Sequence, residues 1–136
     1  MKKTAIIIIA ILTLTACEIF EIGSKQKPVI ILDQTTPVGT VMLFKIKLDS
    51  NKISDAAAVM RKNSGEPYLA IEKVELFEDL KRLGRIIAGR KITRHYTDTL
   101  TADFRVVNME FDYIRNYKFN TRLIGDKWYI TGYKQF

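Results

Sequence analysis

Residues 106–136 read VVNMEFDYIRNYKFNTRLIGDKWYITGYKQF, and their alternation decides the fold. Val107, Met109, Phe111 and Tyr113 alternate with Asn108, Glu110 and Asp112. Tyr117, Phe119, Thr121 and Leu123 alternate with Lys118, Asn120 and Arg122. Trp128, Ile130 and Gly132 alternate with Tyr129, Thr131 and Tyr133. Period two means three strands, each with one buried face and one wetter face. Gly125-Asp126 suits a two-residue hairpin loop, which sets Leu123 opposite Trp128 and Arg122 opposite Tyr129. For the preceding hairpin, a two-residue loop at 115–116 would pair Phe111 with Asn120 and mix the faces. A three-residue loop at 114–116 pairs Phe111 with Phe119 and Met109 with Thr121, with Asn116 in the left-handed position. On that register Asp112 faces Lys118 and Glu110 faces Asn120.

Upstream, residues 91–101 predict a fourth strand. Before it, residues 67–88 predict a long helix, with Leu76, Leu80, Leu83 and Ile87 on one face, Leu69 and Phe77 widening it, and Glu78 and Arg82 paired on the outer side. Gly89 is its stop. Thr36-Pro37 opens a first helix as cap and first residue, with Val38, Val41, Met42, Lys45 and Leu48 on one stripe and Phe44 and Ile46 partly off it. Asp49-Ser50-Asn51 is a turn, and Ser54 caps a short second helix over 55–60 that Asn63-Ser64-Gly65 ends. The expected class is therefore α+β: N-terminal helices, one of them long, packed on a curved antiparallel sheet of about four strands.

Composition agrees with one compact domain. The chain has 136 residues, 22 Lys+Arg against 15 Asp+Glu, a formal charge of +7, and 47% hydrophobic residues. This excludes a disordered tail, a collagen-like chain and a multi-span membrane protein. One Cys excludes a disulfide framework and a Cys-based zinc site.

The start of the chain reads as an address. Lys2 and Lys3 precede an apolar run, AIIIIAILTL at 5–14, too short for the roughly 20 residues that cross a bilayer. It has the length and flanks of a secretory signal. The run closes on Leu14-Thr15-Ala16-Cys17, which resembles the lipobox of bacterial lipoproteins. That resemblance implies cleavage between Ala16 and Cys17 and a diacylglycerol on the Cys17 thiol. The organisation is then a signal peptide at 1–16, a lipid-anchored tether at 17–35 with the apolar run Val29-Ile30-Ile31-Leu32 as a docking element, and the domain at 36–136. The expected location is the bacterial cell envelope; Glu18, not Asp, implies the outer membrane if two membranes are present.

The domain itself resembles small lipoproteins of unknown function with an NTF2-like or cystatin-like α+β fold. Thr36-Pro37, the Leu48-Asp49 helix end, the 67–88 helix and Trp128-Tyr129-Ile130 carry the likeness. It implies a curved sheet around a cone-shaped pocket, used for ligands, protein contacts or catalysis; fold alone does not choose. The expected pocket lies between the 67–88 helix and the apolar sheet face, at Tyr113, Tyr117, Phe119 and Trp128.

Catalytic constellations are sparse. His95 is the only imidazole, and Ser24, Ser50, Ser54 and Ser64 all sit in the tether, turns or caps, so no Ser-His-Asp arrangement is expected. Glu110 and Asp112 share a strand face, which cross-strand pairing explains. The NTF2-like resemblance supplies a rival: an isomerase or dehydratase with a carboxylate inside an apolar cone. Lys81, Arg82, Arg85, Arg90, Lys91 and Arg94 form a basic run, read as a solvated helix end or as a contact for an anionic surface. Residues 84–91 miss a phosphate loop, having Arg and Lys where Lys and Ser/Thr are required, and Asp49, Asn51 and Asp55 miss a calcium loop at Ile53 and Ser54. No cofactor, metal or nucleic acid is expected. The leading expectation is a non-enzymatic module on a membrane anchor, binding a protein or a small apolar ligand. The alternatives are the enzyme just described and a structural or assembly component with an exposed apolar sheet face.

Overall fold

A computed structural model describes residues 29–136. The leader, Cys17 and the first part of the tether lie outside the described residues. Three helices, α1 (Pro37–Asp49), α2 (Ile53–Ala58) and α3 (Ala70–Ile87), precede four strands, β1 (Ile92–Thr99), β2 (Phe104–Phe111), β3 (Arg115–Ile124) and β4 (Lys127–Gln135). The strands form one antiparallel sheet in the order β1-β2-β3-β4. This is the expected α+β class: an open, four-stranded antiparallel sheet with N-terminal helices on one face, matching NTF2-like/cystatin-like topology.

Helix α1 starts as read. The Thr36 hydroxyl accepts the Gly39 N–H at 3.0 Å, and Pro37 occupies the first turn. Val41, Phe44, Lys45 and Leu48 are buried. Phe44, placed partly off the stripe by periodicity, is fully buried because α1 lies directly on β2, β3 and β4 while α3 packs on its other side. A helix enclosed on two sides has no dry and wet half to distinguish. The expected arrangement, with the long helix itself covering the sheet, is corrected accordingly: α3 packs against α1 and α2 and borders the sheet at one end.

The approach to α1 is tied down. Gly39 lacks the side chain that would strike the carbonyl of Ile31, so the segment before Thr36 can cross the first turn of the helix. Gln34 then grips β4 from outside: its carbonyl accepts the Trp128 N–H at 2.8 Å, and its side-chain amide donates to the Trp128 carbonyl at 2.8 Å. Further along the same border, the Ile130 N–H donates to Val59 and the Arg61 N–H to Ile130, a short parallel bridge centred on Met60. The β4 edge is thereby covered from Trp128 to Ile130, and β1 is the other edge of the sheet.

Helix boundaries shift by one turn or less. The Lys52 N–H donates to the Lys47 carbonyl, and the chain turns so tightly that α2 begins at Ile53, with Ser54 inside its first turn and not at the cap. Helix α3 begins at Ala70, not Pro67, because the Glu72 carboxylate accepts the Leu69 N–H at 2.7 Å and defines the start there. Leu76, Leu80, Leu83 and Ile87 are buried as expected, but Leu69 is exposed at this boundary. The expected Glu78–Arg82 pair is replaced by two i, i+3 pairs, Glu78–Lys81 at 2.6 Å and Asp79–Arg82 at 3.3 Å. Gly89 ends the helix with φ +69, and its N–H donates to the Asp49 carboxylate at 2.8 Å.

In the sheet, the β3–β4 register is as read: Leu123 faces Trp128 and Arg122 faces Tyr129. The β2–β3 register is not. Met109 faces Tyr117 and Val107 faces Phe119, so the loop is 112–114. Asp112 and Tyr113 both take positive φ, and the Ile114 N–H closes the turn on the Phe111 carbonyl at 3.1 Å, the mark of a type I′ turn. The turn is held from outside. The Asp112 carboxylate accepts Arg90 at 2.9 Å and the Lys91 N–H at 3.0 Å. The faces survive this slip because it moves the register by an even step.

Candidate functional site

A bulge in β4 creates the site. Asn120 faces Gly132 and Thr121 faces Ile130, so Thr131 is the extra residue. Beyond it the parity of β4 inverts. Tyr133, which simple alternation sets beside Tyr129 on the wetter face, instead faces Phe119 on the helix side, with ring centroids 6.4 Å apart. Gly132 is the sequence signal for this: a glycine within a strand marks a bulge.

Helix α3 runs past this end of the sheet, and a cleft of 280 Å³ opens between them. Asp79, Arg82, Leu83 and Ile86 line it from α3, and Tyr117, Tyr133, Lys134 and Gln135 from β3 and β4. The helix residues recur at three- and four-residue steps, so one flank of α3 supplies both Leu83 and Ile86 for the wall and Asp79 and Arg82 for the rim. Phe119, fully buried, stacks on Tyr117 at 6.2 Å and meets Phe44 edge-on at 6.1 Å, so the Tyr117 ring is backed by packed core. The Tyr117 hydroxyl lies 3.2 Å from Gln135 Oε1 and donates to it.

Burial pushes the Tyr133 phenol above the ordinary tyrosine value of 10.0, and the Asp79 carboxylate pushes it further the same way. Burial does the same to Tyr68. Above pH 10 the unfolded chain therefore releases these protons before the folded one, and stability falls as pH rises past that point. Thermal melts between about pH 8 and about pH 11 should show this decline. Tyr133→Phe should make it shallower, leaving the part due to Tyr68; an unchanged slope in the variant would contradict the assignment.

The expected aromatic set is only partly assembled. Tyr117 lines the cleft and Phe119 lies beneath it. Trp128 is buried at the far end of the sheet, beneath the Arg105 guanidinium at 5.5 Å. Tyr113 sits in the hairpin turn, 75% exposed, because the turn falls where a strand continuation was read. Neither belongs to the cleft.

The basic run is divided by the end of α3. Lys81 and Arg82 are engaged with Glu78 and Asp79, and Arg90 bonds Asp112 and the Ile86 carbonyl. Arg85, Lys91 and Arg94 are exposed and form no ion pair among the described residues. His95 is exposed on the open edge strand β1, opposite Met109. Glu110 and Asp112 do not act as a pair: Glu110 accepts the Thr93 hydroxyl at 2.7 Å and faces Asn116, whereas Asp112 is in the turn. Both expected cross-strand partners, Asn120 and Lys118, are displaced by the slip described above.

Among the described residues there is no cluster of three or more His, Cys, Asp or Glu able to hold a metal ion. No described helix is long and apolar enough to cross a membrane. The fold is that of a small α+β domain and is consistent with a binding-type module. Comparison with protein-family models, with curated proteins and with solved structures returns no match for this chain.

Proposed function

We propose that this is a lipid-anchored envelope protein whose domain binds a small, largely apolar ligand in the cleft between α3 and the bulged end of β4. The observation that carries the reading is the lining of that cleft. Leu83, Ile86 and two tyrosine rings form an apolar wall, and Asp79, Arg82 and Lys134 form a rim of mixed charge. At 280 Å³ it is just below the ~300 Å³ at which pockets for drug-sized molecules begin, so the ligand is one ring or a short chain with a polar head. The anchor rests on Leu14-Thr15-Ala16-Cys17 and its flanks.

A second reading, catalysis of the isomerase or dehydratase type, draws on Asp79 beside Tyr133. It is the weaker one. Asp79 is paired with Arg82, and its side chain is 46% exposed, whereas a carboxylate tuned as a base needs an apolar enclosure. The assembly reading expects an apolar outer sheet face. That face is mixed, with Phe104 and Val106 set among Arg94, Tyr96, Asp98, Asn108, Lys118 and Asn120.

Three measurements test the proposal. Binding of an environment-sensitive apolar dye should be strong in the parent and fall about tenfold in Ile86→Arg, which places a charge in the wall. Equal binding by both proteins would remove the cleft reading. For the anchor, Cys17→Ser should move the protein from the membrane to the soluble fraction, and the parent's intact mass should show cleavage before Cys17 plus acyl chains. An uncleaved, unmodified N-terminus would refute lipidation.

A further inference from the structure

Strand β1 is an edge of the sheet, and its backbone is set to take another strand. Arg94, Tyr96 and Asp98 face Glu110, Asn108 and Val106, and the series continues to Leu100, whose N–H donates to the Phe104 carbonyl at 3.2 Å. Peptide groups alternate sides along a strand. The even-numbered residues therefore bond β2, and the N–H and C=O groups of His95, Thr97 and Thr99 point away from it. Among the described residues no backbone hydrogen bond reaches that outer row. Residues 94–99 are exposed on the outer face and on the helix side alike, so the described helices leave room beside the strand. Natural edges are blunted by lysine, proline or a bulge. From Arg94 to Thr99, β1 has none of these; its one irregularity lies before Arg94.

The charges on this edge complement each other. Arg94 and Asp98 project on the same face, two positions either side of Tyr96, and neither forms an ion pair among the described residues. Asp98 accepts only the Asn108 amide, at 2.9 Å. The ionisable neighbours on β2 are Glu110, across from Arg94, and Arg105, across from Thr99; Lys118 lies one strand further, beyond Asn108. A second copy laid antiparallel must match outward residues to outward residues, so odd numbers meet odd and even meet even. With Tyr96 on the two-fold axis, His95 meets the partner's Thr97, and Arg94 meets the partner's Asp98, twice over. Arg94 then stands between two carboxylates, its own Glu110 and the partner's Asp98. Centring on His95 sets Arg94 against Tyr96 and Asp98 against Ile92. Centring on Thr97 sets Arg94 against Leu100 and Asp98 against Tyr96. One register alone pairs the charges.

We propose that β1 is a self-association edge: two copies pair β1 to β1 about Tyr96 and join their sheets into one of eight strands. The contact is isologous, so a single strand supplies both halves of each charge pair. It is one strand wide, which makes the dimer reversible and a covalent trap the suitable probe.

The full chain carrying Cys17→Ser and Tyr96→Cys has a single thiol, since Cys17 is the one native cysteine. Opposed residues of a non-hydrogen-bonded pair lie about 4.5 Å apart at Cα, within disulfide range. Treating the expressing cells with copper–phenanthroline should therefore give a disulfide-linked dimer, identified by intact mass. Thr99→Cys in place of Tyr96→Cys separates the two thiols by about 20 Å and should cross-link at least about tenfold less. Adding Arg94→Glu or Asp98→Lys to the Tyr96→Cys chain should lower the dimer yield about tenfold, and the two together should restore most of it. The proposal is overturned by no dimer from Tyr96→Cys, by equal yield from Thr99→Cys, by a mixed disulfide with another protein as the main product, or by undiminished yield with Arg94→Glu. Should Asp98→Lys not fold, the position comparison and Arg94→Glu decide. No cleft residue is changed and every chain lacks the Cys17 thiol, so the result is independent of the cleft and anchor readings.

Discussion

Asp49→Ala should destabilise the fold by about 3 kcal/mol, whereas Lys45→Met should be neutral or stabilising. The two residues form one ion pair at 2.6 Å, yet the environments differ. The Lys45 side chain is 6% exposed, and its ammonium lies 5.9 Å from the centre of the Phe111 ring; the Asp49 side chain is 33% exposed. Deleting the carboxylate leaves a buried cation without its partner and takes the acceptor from Gly89 N–H, which ties the end of α3 to the end of α1. Deleting the ammonium leaves a carboxylate that water and Gly89 still satisfy, with Met filling the same volume. The double variant should recover most of the loss. Urea unfolding of the three variants measures this; equal destabilisation by both single changes would mean that the pair is not buried in the sense described.

Phe119→Ala should cost about 3–5 kcal/mol, the range for truncating a buried aromatic. Phe119 is 1% exposed and touches three rings: Phe44 of α1, Tyr117 of its own strand and Tyr133 of β4. It therefore joins α1 to the sheet and backs the two tyrosines that line the cleft. Phe119→Leu should cost under about 1.5 kcal/mol, since volume is largely kept. The Ala variant should also lose dye binding where it remains folded, because Tyr133 loses its support. A loss below about 1 kcal/mol in Ala would place the core elsewhere.

Local chemistry explains which features could be read from the chain. Thr36-Pro37 and Gly125-Asp126 act through their own backbone, so the α1 start and the β3–β4 register followed from them directly. Lys45 was placed on the apolar stripe of α1 by spacing, and the structure buries it. The β2–β3 turn depends instead on Arg90 and Lys91, more than twenty positions earlier, and no local signal at 112–114 reports that support. The same is true of the Met60–Ile130 bridge. Both α1 and α3 carry apolar residues at helical spacing, and periodicity does not say which lies nearer the sheet. In the cleft, Tyr117 was legible from alternation. Tyr133 was not, because the bulge at Thr131 reverses the count; Trp128, on the other side of that bulge, is set at the opposite end of the sheet.

The grip of Gln34 on Trp128 has a mechanical consequence. Tension applied to the chain just before Gln34 is met by two hydrogen bonds, both to the backbone of one residue on the sheet border. These are loaded before the helices are. A pull would peel the arm away up to Thr36 while the tertiary packing stays intact, so this short clamp works as a fuse between the arm and the body of the protein.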